Sequence, residues 1–201
     1  MDLTETLARR HMVRSFLDRP VPAAPLQRVL AAATRAPSAG YAQGLDLVVL
    51  DEPVARSQYW DTTLPAPRRA TFPWPGLLVA PVLILVCVDP GAYVARYAEP
   101  DKRATGLGSG ADAWAVPFWF VDAGMAAENV LLAAVDEGLG ACFFGVFDHE
   151  PALKAALGIP AAVRTVGTIA IGHEDRAGAR PSRSSRRDRR PVGDVVHVGR
   201  W

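Results

Sequence analysis

Three guanidiniums and an imidazole fall within six residues in Arg9-Arg10-His11-Met12-Val13-Arg14. A second basic cluster, Arg183, Arg186, Arg187, Arg189 and Arg190, lies near the other end of the 201-residue sequence. The chain has 22 Lys and Arg against 21 Asp and Glu, so these clusters are local and not part of a general cationic excess. Brought together by the fold, they would hold a small dianion such as a phosphate monoester. The planar donor fork of arginine matches phosphate oxygens and stays charged. The alternatives for the second cluster are a solvated tail or loose contact with nucleic acid. A nucleic-acid role wants basic residues interleaved with aromatics or set on one helix face, and neither pattern is present.

Other site chemistries are absent. His11, His149, His173 and His197 show no HxH or HExxH spacing, and Cys87 and Cys142 do not pair in sequence, so no metal site is expected. No serine sits in a GxSxG elbow. There is no Walker A motif. Gly106-Leu-Gly108-Ser-Gly110 is not GxGxxG and follows no convincing strand, while Gly138-Leu-Gly140 comes after a helix and before a strand. A protein with no nucleophile, base dyad or metal cluster can still catalyse if a cofactor carries the chemistry.

These clusters must be positioned by a core, and the sequence can supply one. Half the residues are hydrophobic, enough for a single domain spanning 1–201 with apolar surface left for contact between subunits. Pro and Gly are spread along the chain and mark turns. The two cysteines sit in apolar runs and read as buried reduced thiols. The N-terminal segment is charged, and the longest apolar run, Gly76 to Val88, is interrupted by Pro81 and too short for a bilayer. The expectation is a cytoplasmic, soluble protein with no membrane partner.

The periodicity predicts helices over 2–10, 23–35, 53–61 and 150–157, with one or two helical turns over 93–98. The best helix runs over 123–137, capped by Asp122 and stopped by Gly138, and is apolar on most sides, which points to a subunit interface. Strands are predicted over 45–50, 77–88, 141–147 and 166–171, the second being a Val/Ile/Leu run of the kind found at a sheet centre. Residues 62–76 read as a loop and 99–115 as a mobile, Gly-rich stretch ending in the aromatic patch 114–120. The tail from Arg176 is basic and extended, with Trp201 expected to anchor it. The order predicts an α+β fold with helices flanking a central antiparallel or mixed sheet of four to five strands.

At this point four segments, in order, resemble one family. Arg10-His11-Met12-Val13-Arg14-Ser15-Phe16 resembles an RRSxRxF element, and Ala36-Pro37-Ser38-Ala39-Gly40-Tyr41-Ala42-Gln43 an APSAGNxQPW element. Asp122 to Ala134, continued by Gly138 to Gly145, resembles a central helix and its following strand. Arg187-Asp188-Arg189-Arg190-Pro191 resembles a tail element. Together they are similar to the FMN-dependent nitroreductase-like superfamily. The resemblance implies a nitroreductase-like fold and an intertwined homodimer with one FMN at each end of the interface.

Carried over by position, Arg10, His11 and Arg14 would hold the FMN phosphate and ribityl chain, with Met12 between them in the cofactor site, and Arg187 and Arg189 would close on that phosphate. Alternate residues of an extended chain face one way, so both can reach one anion. Pro37, Ser38, Ala39 and Gln43 would touch the flavin from the partner subunit, and Phe143, Phe144 and Gly145 would run along the isoalloxazine. No side chain is implied as a catalytic acid or base. The implied chemistry is two-electron transfer from NAD(P)H through flavin N5 to a small aromatic or apolar acceptor, a nitroarene or quinone. Residues 89–120 would form a variable lid, with Tyr41, Trp114, Phe118, Trp119 and Phe120 lining the acceptor site. Met12 replaces the usual Ser, Tyr41 the usual Asn, and Gly44-Leu45 the usual Pro-Trp, which bears on flavin affinity and pocket shape. Two other functions remain open on this resemblance: a flavin-binding storage or regulatory protein, and a dehydrogenase or ene reductase, the donor in that case being NAD(P)H or a deazaflavin.

Overall fold

A computed structural model describes residues 1–201, apart from the side chains of Arg183 and Ser185. In chain order the elements are α1 (Leu3–Arg9), α2 (Ala23–Ala33), β1 (Leu45–Leu50), α3 (Pro53–Thr63), α4 (Ala66–Arg69), β2 (Val82–Val88), α5 (Pro90–Ala98), α6 (Phe118–Asp136), β3 (Gly140–Phe144), α7 (Glu150–Leu157) and β4 (Arg164–Gly172). The four strands form one antiparallel sheet in the order β1-β2-β4-β3, which gives the α+β class expected.

β2 lies inside the sheet, and every one of its residues is buried. Its period-2 alternation divides the core in two. Val82, Ile84, Val86 and Val88 face a layer built from α2 and α6; Leu83, Leu85 and Cys87 face the opposite layer, with Tyr59 and Trp60 of α3 and Leu153 of α7. A strand covered on both faces must be apolar at every position, which is why its sequence is an unbroken Val/Ile/Leu run. Cys87 and Cys142 are both buried and unbonded. Burial pushes the Cys87 thiol up to about 11, so it stays protonated.

Several local expectations are corrected. The strand predicted from Leu77 begins only at Val82, because Pro75 starts a short 3-10 turn (Pro75–Val79) and Pro81 cannot donate to a ladder. Residues 62–76 are not all loop, since α3 extends to Thr63 and α4 occupies Ala66–Arg69. The stretch 99–115 folds into three 3-10 turns packed on α5. A Cβ on Gly108 would meet the backbone of Ala98 at 2.5 Å, so only glycine permits that approach. Trp201 does not anchor the tail within the chain. It is fully exposed and, among the described residues, stacks only on His197.

The largest correction concerns α6. Pro117, not Asp122, precedes its first turn, and Asp122 lies buried inside the helix, accepting a hydrogen bond from the Ala39 N–H at 2.8 Å. The helix includes the aromatics Phe118 to Phe120 because Pro is well suited to a helix start. By length and composition α6 could cross a bilayer, although the chain's continuous apolar runs are shorter. Here its Ala123, Ala126, Ala127, Val130, Leu131 and Ala134 pack into the core against the sheet and α2. Phe118, Val121 and Met125 on its other side are exposed, so the chain leaves that side of the helix apolar toward the outside.

Candidate functional site

The two ends of the sequence meet because the segment after α1 has no ladder of its own. Met12 forms a parallel bridge with Ala141 of β3, and the Val13 N–H donates to the Ala141 carbonyl at 2.9 Å. Two residues later the same segment pairs antiparallel with the chain leaving β4. Leu17 N–H donates to His173 O and Asp175 N–H to Ser15 O, both at 2.9 Å. The Asp175 carboxylate then turns the chain back. One oxygen accepts the Ser15 hydroxyl at 3.1 Å, and the other accepts the N–H groups of Ala177 and Gly178, each at 3.1 Å. The tail is therefore folded over residues 10–15.

Between them lies a cleft of about 470 Å³. Arg10, His11, Met12, Arg14 and Ser15 form one wall, and Glu174, Arg180, Ser182, Ser184 and Arg189 lie across from it. Arg10 is held by Glu128, Nε to Oε1 at 3.2 Å. His11 lies between two pure acceptors: Nδ1 is 2.9 Å from the Arg9 carbonyl oxygen, and Nε2 is 3.0 Å from Glu174 Oε1. Both ring nitrogens must then carry protons, so this geometry fits the imidazolium. Its pKa is raised accordingly, first by the Arg9 carbonyl and then by Glu174. Desolvation opposes ionisation of Glu174, but His11 and Arg176 outweigh it and hold the carboxyl below its ordinary range. The net character of the cleft is cationic.

Arg14 links this cleft to a second cavity. Its guanidinium donates to the Met12 carbonyl at 3.3 Å and lies 5.3 Å from the centre of the Trp74 ring. It lines the cleft and also an apolar cavity of about 340 Å³ bounded by Trp60, Phe72, Trp74 and the run Phe143, Phe144, Gly145. Trp60 stacks on Phe144 with their planes 9° apart. Phe147, at φ +49°, lays its ring over Gly145, where a Cβ would come within 2.6 Å of it. Each volume lies in the range of roughly 300–1,000 Å³ usual for small-molecule sites. An anion-binding end and a flat aromatic end, joined by one arginine, suit a phosphorylated planar cofactor such as FMN.

The other expected site residues lie elsewhere in the chain. Arg187 does not border the cleft, because residues 183–186 form a 3-10 turn and the tail loses the simple alternation of an extended chain. The side chain of Arg183 is outside the described residues. The Met12 side chain turns toward β3, where its sulfur accepts the Phe143 N–H at 3.4 Å. Pro37, Ser38 and Gln43 line a separate cavity of about 140 Å³ beside Asp122 and Tyr93. Ala39 borders an apolar groove with Tyr97, Leu107, Trp114 and Phe118. Tyr41 is 75 % exposed. Trp114 and Trp119 are core residues packed against Tyr93, and Arg164 lies over the Phe120 ring.

Arg180, Glu174 and Asp175 escaped the sequence reading, as did Trp60, Phe72 and Trp74. Arg180 carried a signal, since it stands in the same basic tail. Glu174 carried none, because its partner His11 is 163 residues away. Among the described residues no three His, Cys, Asp or Glu side chains gather as a metal would need.

Comparison with known proteins gives the family and the fold. Residues 7–173 match the model of the nitroreductase family. The chain is 27 % identical over 168 residues to an Archaeoglobus fulgidus protein provisionally named NADH dehydrogenase/NAD(P)H nitroreductase, covering 82 % of this chain and 80 % of that one. Its fold is similar to the hypothetical oxidoreductase YcnD from Bacillus subtilis, with TM-score 0.75 and 25 % identity, covering all of this chain and 75 % of the other. A nitroreductase family protein from Clostridium difficile 630 aligns over the whole of both chains with TM-score 0.69 and 21 % identity. The chain belongs to the nitroreductase family and is an oxidoreductase.

Proposed function

We propose that this nitroreductase-family chain is an FMN-dependent enzyme that passes two electrons from NAD(P)H to a small aromatic or apolar acceptor, working as a homodimer. The observation that carries the reading is the single cleft in which Arg10, His11 and Arg14 face Arg180 and Arg189, continued through Arg14 into the aromatic cavity beside Phe143 to Gly145. When bound, FMN supplies two-electron transfer at its N5, so the protein needs no acid, base or nucleophile of its own.

The side chains have narrower tasks. Arg14, Arg180 and Arg189 grip the phosphate, and protonated His11 adds a fourth positive group held by Glu174. Arg10 is restrained by Glu128 and so costs less entropy to engage. Gly145 leaves room for the Phe147 ring beside Phe143 and Phe144, while Trp60, Phe72 and Trp74 exclude water from the flavin ring. Pro37, Ser38, Ala39 and Gln43 border the ring from the partner subunit, and Tyr41 and Phe118 flank the acceptor. The exposed apolar residues Phe118, Val121 and Met125 of α6 support burial against a second copy.

The test is direct. The purified protein is expected to be yellow, to release FMN on denaturation as identified by mass, and to sediment as a dimer. It should oxidise NADH or NADPH when a quinone or nitroarene is supplied. A colourless protein that fails to take up added FMN would rule the reading out. FMN binding without any turnover would reduce it to a flavin-binding role.

A further inference from the structure

The turn over 38–43 holds an unfavourable backbone. Gly40, Tyr41 and Gln43 have φ of +61°, +60° and +52°, and the latter two are not glycines. L-residues adopt this left-handed region at an energetic cost, so the conformation lasts only where neighbours enforce it. Three contacts do so. Arg96 Nε donates to the Gly40 carbonyl at 2.8 Å, and the Ser38 hydroxyl oxygen accepts the Gln43 N–H at 3.1 Å. Ser38 occupies the position that would normally cap the 3-10 turn Ala39–Tyr41, yet its side chain makes no capping bond. The cap comes instead from Asp122, whose Oδ2 accepts the Ala39 N–H at 2.8 Å from 83 residues away.

Asp122 is 6 % exposed and sits in the second turn of the central helix α6. Tyr93 of α5, itself buried, turns its phenol toward the same carboxylate, and burial together with Asp122 pushes the phenol upward in pKa. A carboxylate removed from water in this way is costly unless its donors are fixed. Asp122 therefore ties three elements together: the core helix, α5 and the strained turn. The turn's other face carries exposed Tyr41 and Gln43 outward from the protomer.

We infer that Asp122 is a positioning residue for the cofactor: it caps the strained 38–43 turn from the central helix and so fixes how Ser38, Ala39 and Gln43 meet the flavin of the partner subunit. The inference rests on the proposed role of that turn at the ring. In this role Asp122 acts through the Ala39 backbone, whose N–H it accepts.

The experiment compares wild type with Asp122→Asn, Asp122→Ala and Ala39→Pro. Asparagine keeps an acceptor for the Ala39 N–H. Proline deletes that N–H at the first position of a turn, where the ring is tolerated, and leaves Asp122 untouched. The readouts are FMN affinity by fluorescence quenching, visible circular dichroism of the bound flavin, and its reduction potential, with far-ultraviolet circular dichroism as a folding control. Asp122→Ala and Ala39→Pro are expected to weaken FMN binding about tenfold and to alter the visible dichroism alike, whereas Asp122→Asn stays near wild type. If Asp122→Ala does not fold, Ala39→Pro alone decides the matter. Folded Ala39→Pro protein with wild-type affinity, dichroism and potential overturns the inference while leaving the proposed function intact. A wild type that binds no FMN removes both.

Discussion

Replacing Arg14 by alanine is the most informative perturbation, because among the described arginine side chains Arg14 alone borders both the cationic cleft and the aromatic cavity. Two losses are expected, and their sizes differ. A hydrogen bond from a guanidinium to a phosphate contributes about 1.5–3 kcal/mol. At about 1.4 kcal/mol per decade, the Kd for FMN should rise roughly 10- to 150-fold. The guanidinium also lies 5.3 Å from the Trp74 ring centre. A partly exposed contact of that kind contributes about 0.5–1 kcal/mol. For a chain of this length that lowers the Tm of the flavin-free protein by about 1–4 °C. The affinity loss should therefore dominate the stability loss.

Fluorescence titration with FMN and with riboflavin, at fixed ionic strength, separates the causes. Riboflavin lacks the phosphate and should bind Arg14→Ala nearly as well as wild type. Arg14→Lys should fall between the two for FMN, since an ammonium keeps the charge and loses the planar fork. An unchanged FMN Kd in Arg14→Ala, or an equal loss for both ligands, would refute the placement of the phosphate in the cleft.

The tail gives a second comparison. Arg189→Ala should weaken FMN about tenfold, whereas Arg187→Ala, outside the cleft, should change it less than about twofold; the reverse order would mean that the tail takes another path when cofactor is bound. His11 gives a pH prediction. Its folded pKa lies above the ordinary 6.5, so its contribution to stability is complete below 6.5 and is lost as pH rises through the raised value. Glu174 lies below its ordinary 4.5, so its contribution is complete above 4.5 and is lost as pH falls through the lowered value. The pair is thus fully formed from about pH 4.5 to 6.5, and thermal melts of the flavin-free protein should lose the decline in stability above that window in His11→Gln. FMN affinity should fall more steeply above pH 6.5 in wild type than in His11→Gln, a difference that cancels the titration of the phosphate itself; parallel curves would show that His11 does not face the anion.

The site was legible in unequal parts, and the reasons are physical. Arg10, His11 and Arg14 stood out because a dense cationic run in a nearly neutral chain has no ordinary core role. Met12 was read as a replacement for the usual Ser that bears on flavin affinity, yet its sulfur reaches the Phe143 N–H, a contact between residues 131 apart that no local pattern encodes. The aromatic patch 114–120 showed its composition but not its direction. Trp114 and Trp119 went into the core because large rings gain most from burial, while Phe118 was left outside. Asp122 looked like a cap for its own helix, and it is a cap for a different turn. Residue type announced the capping function, but only the packing of α6 against the 38–43 segment could choose the recipient.

Taken alone, the sequence determined the α+β class, the buried central strand, the apolar helix and the presence of two cationic clusters. Each of these follows from periodicity and composition over short windows. Tertiary structure decided which groups share a space. The segment Ser15 to Leu17 finds its partner only at residues 173–175, and that pairing folds Arg180 and Arg189 over Arg14. Such pairings are set by which backbone donors and acceptors are left over once the sheet has formed, and that remainder exists only in the assembled fold.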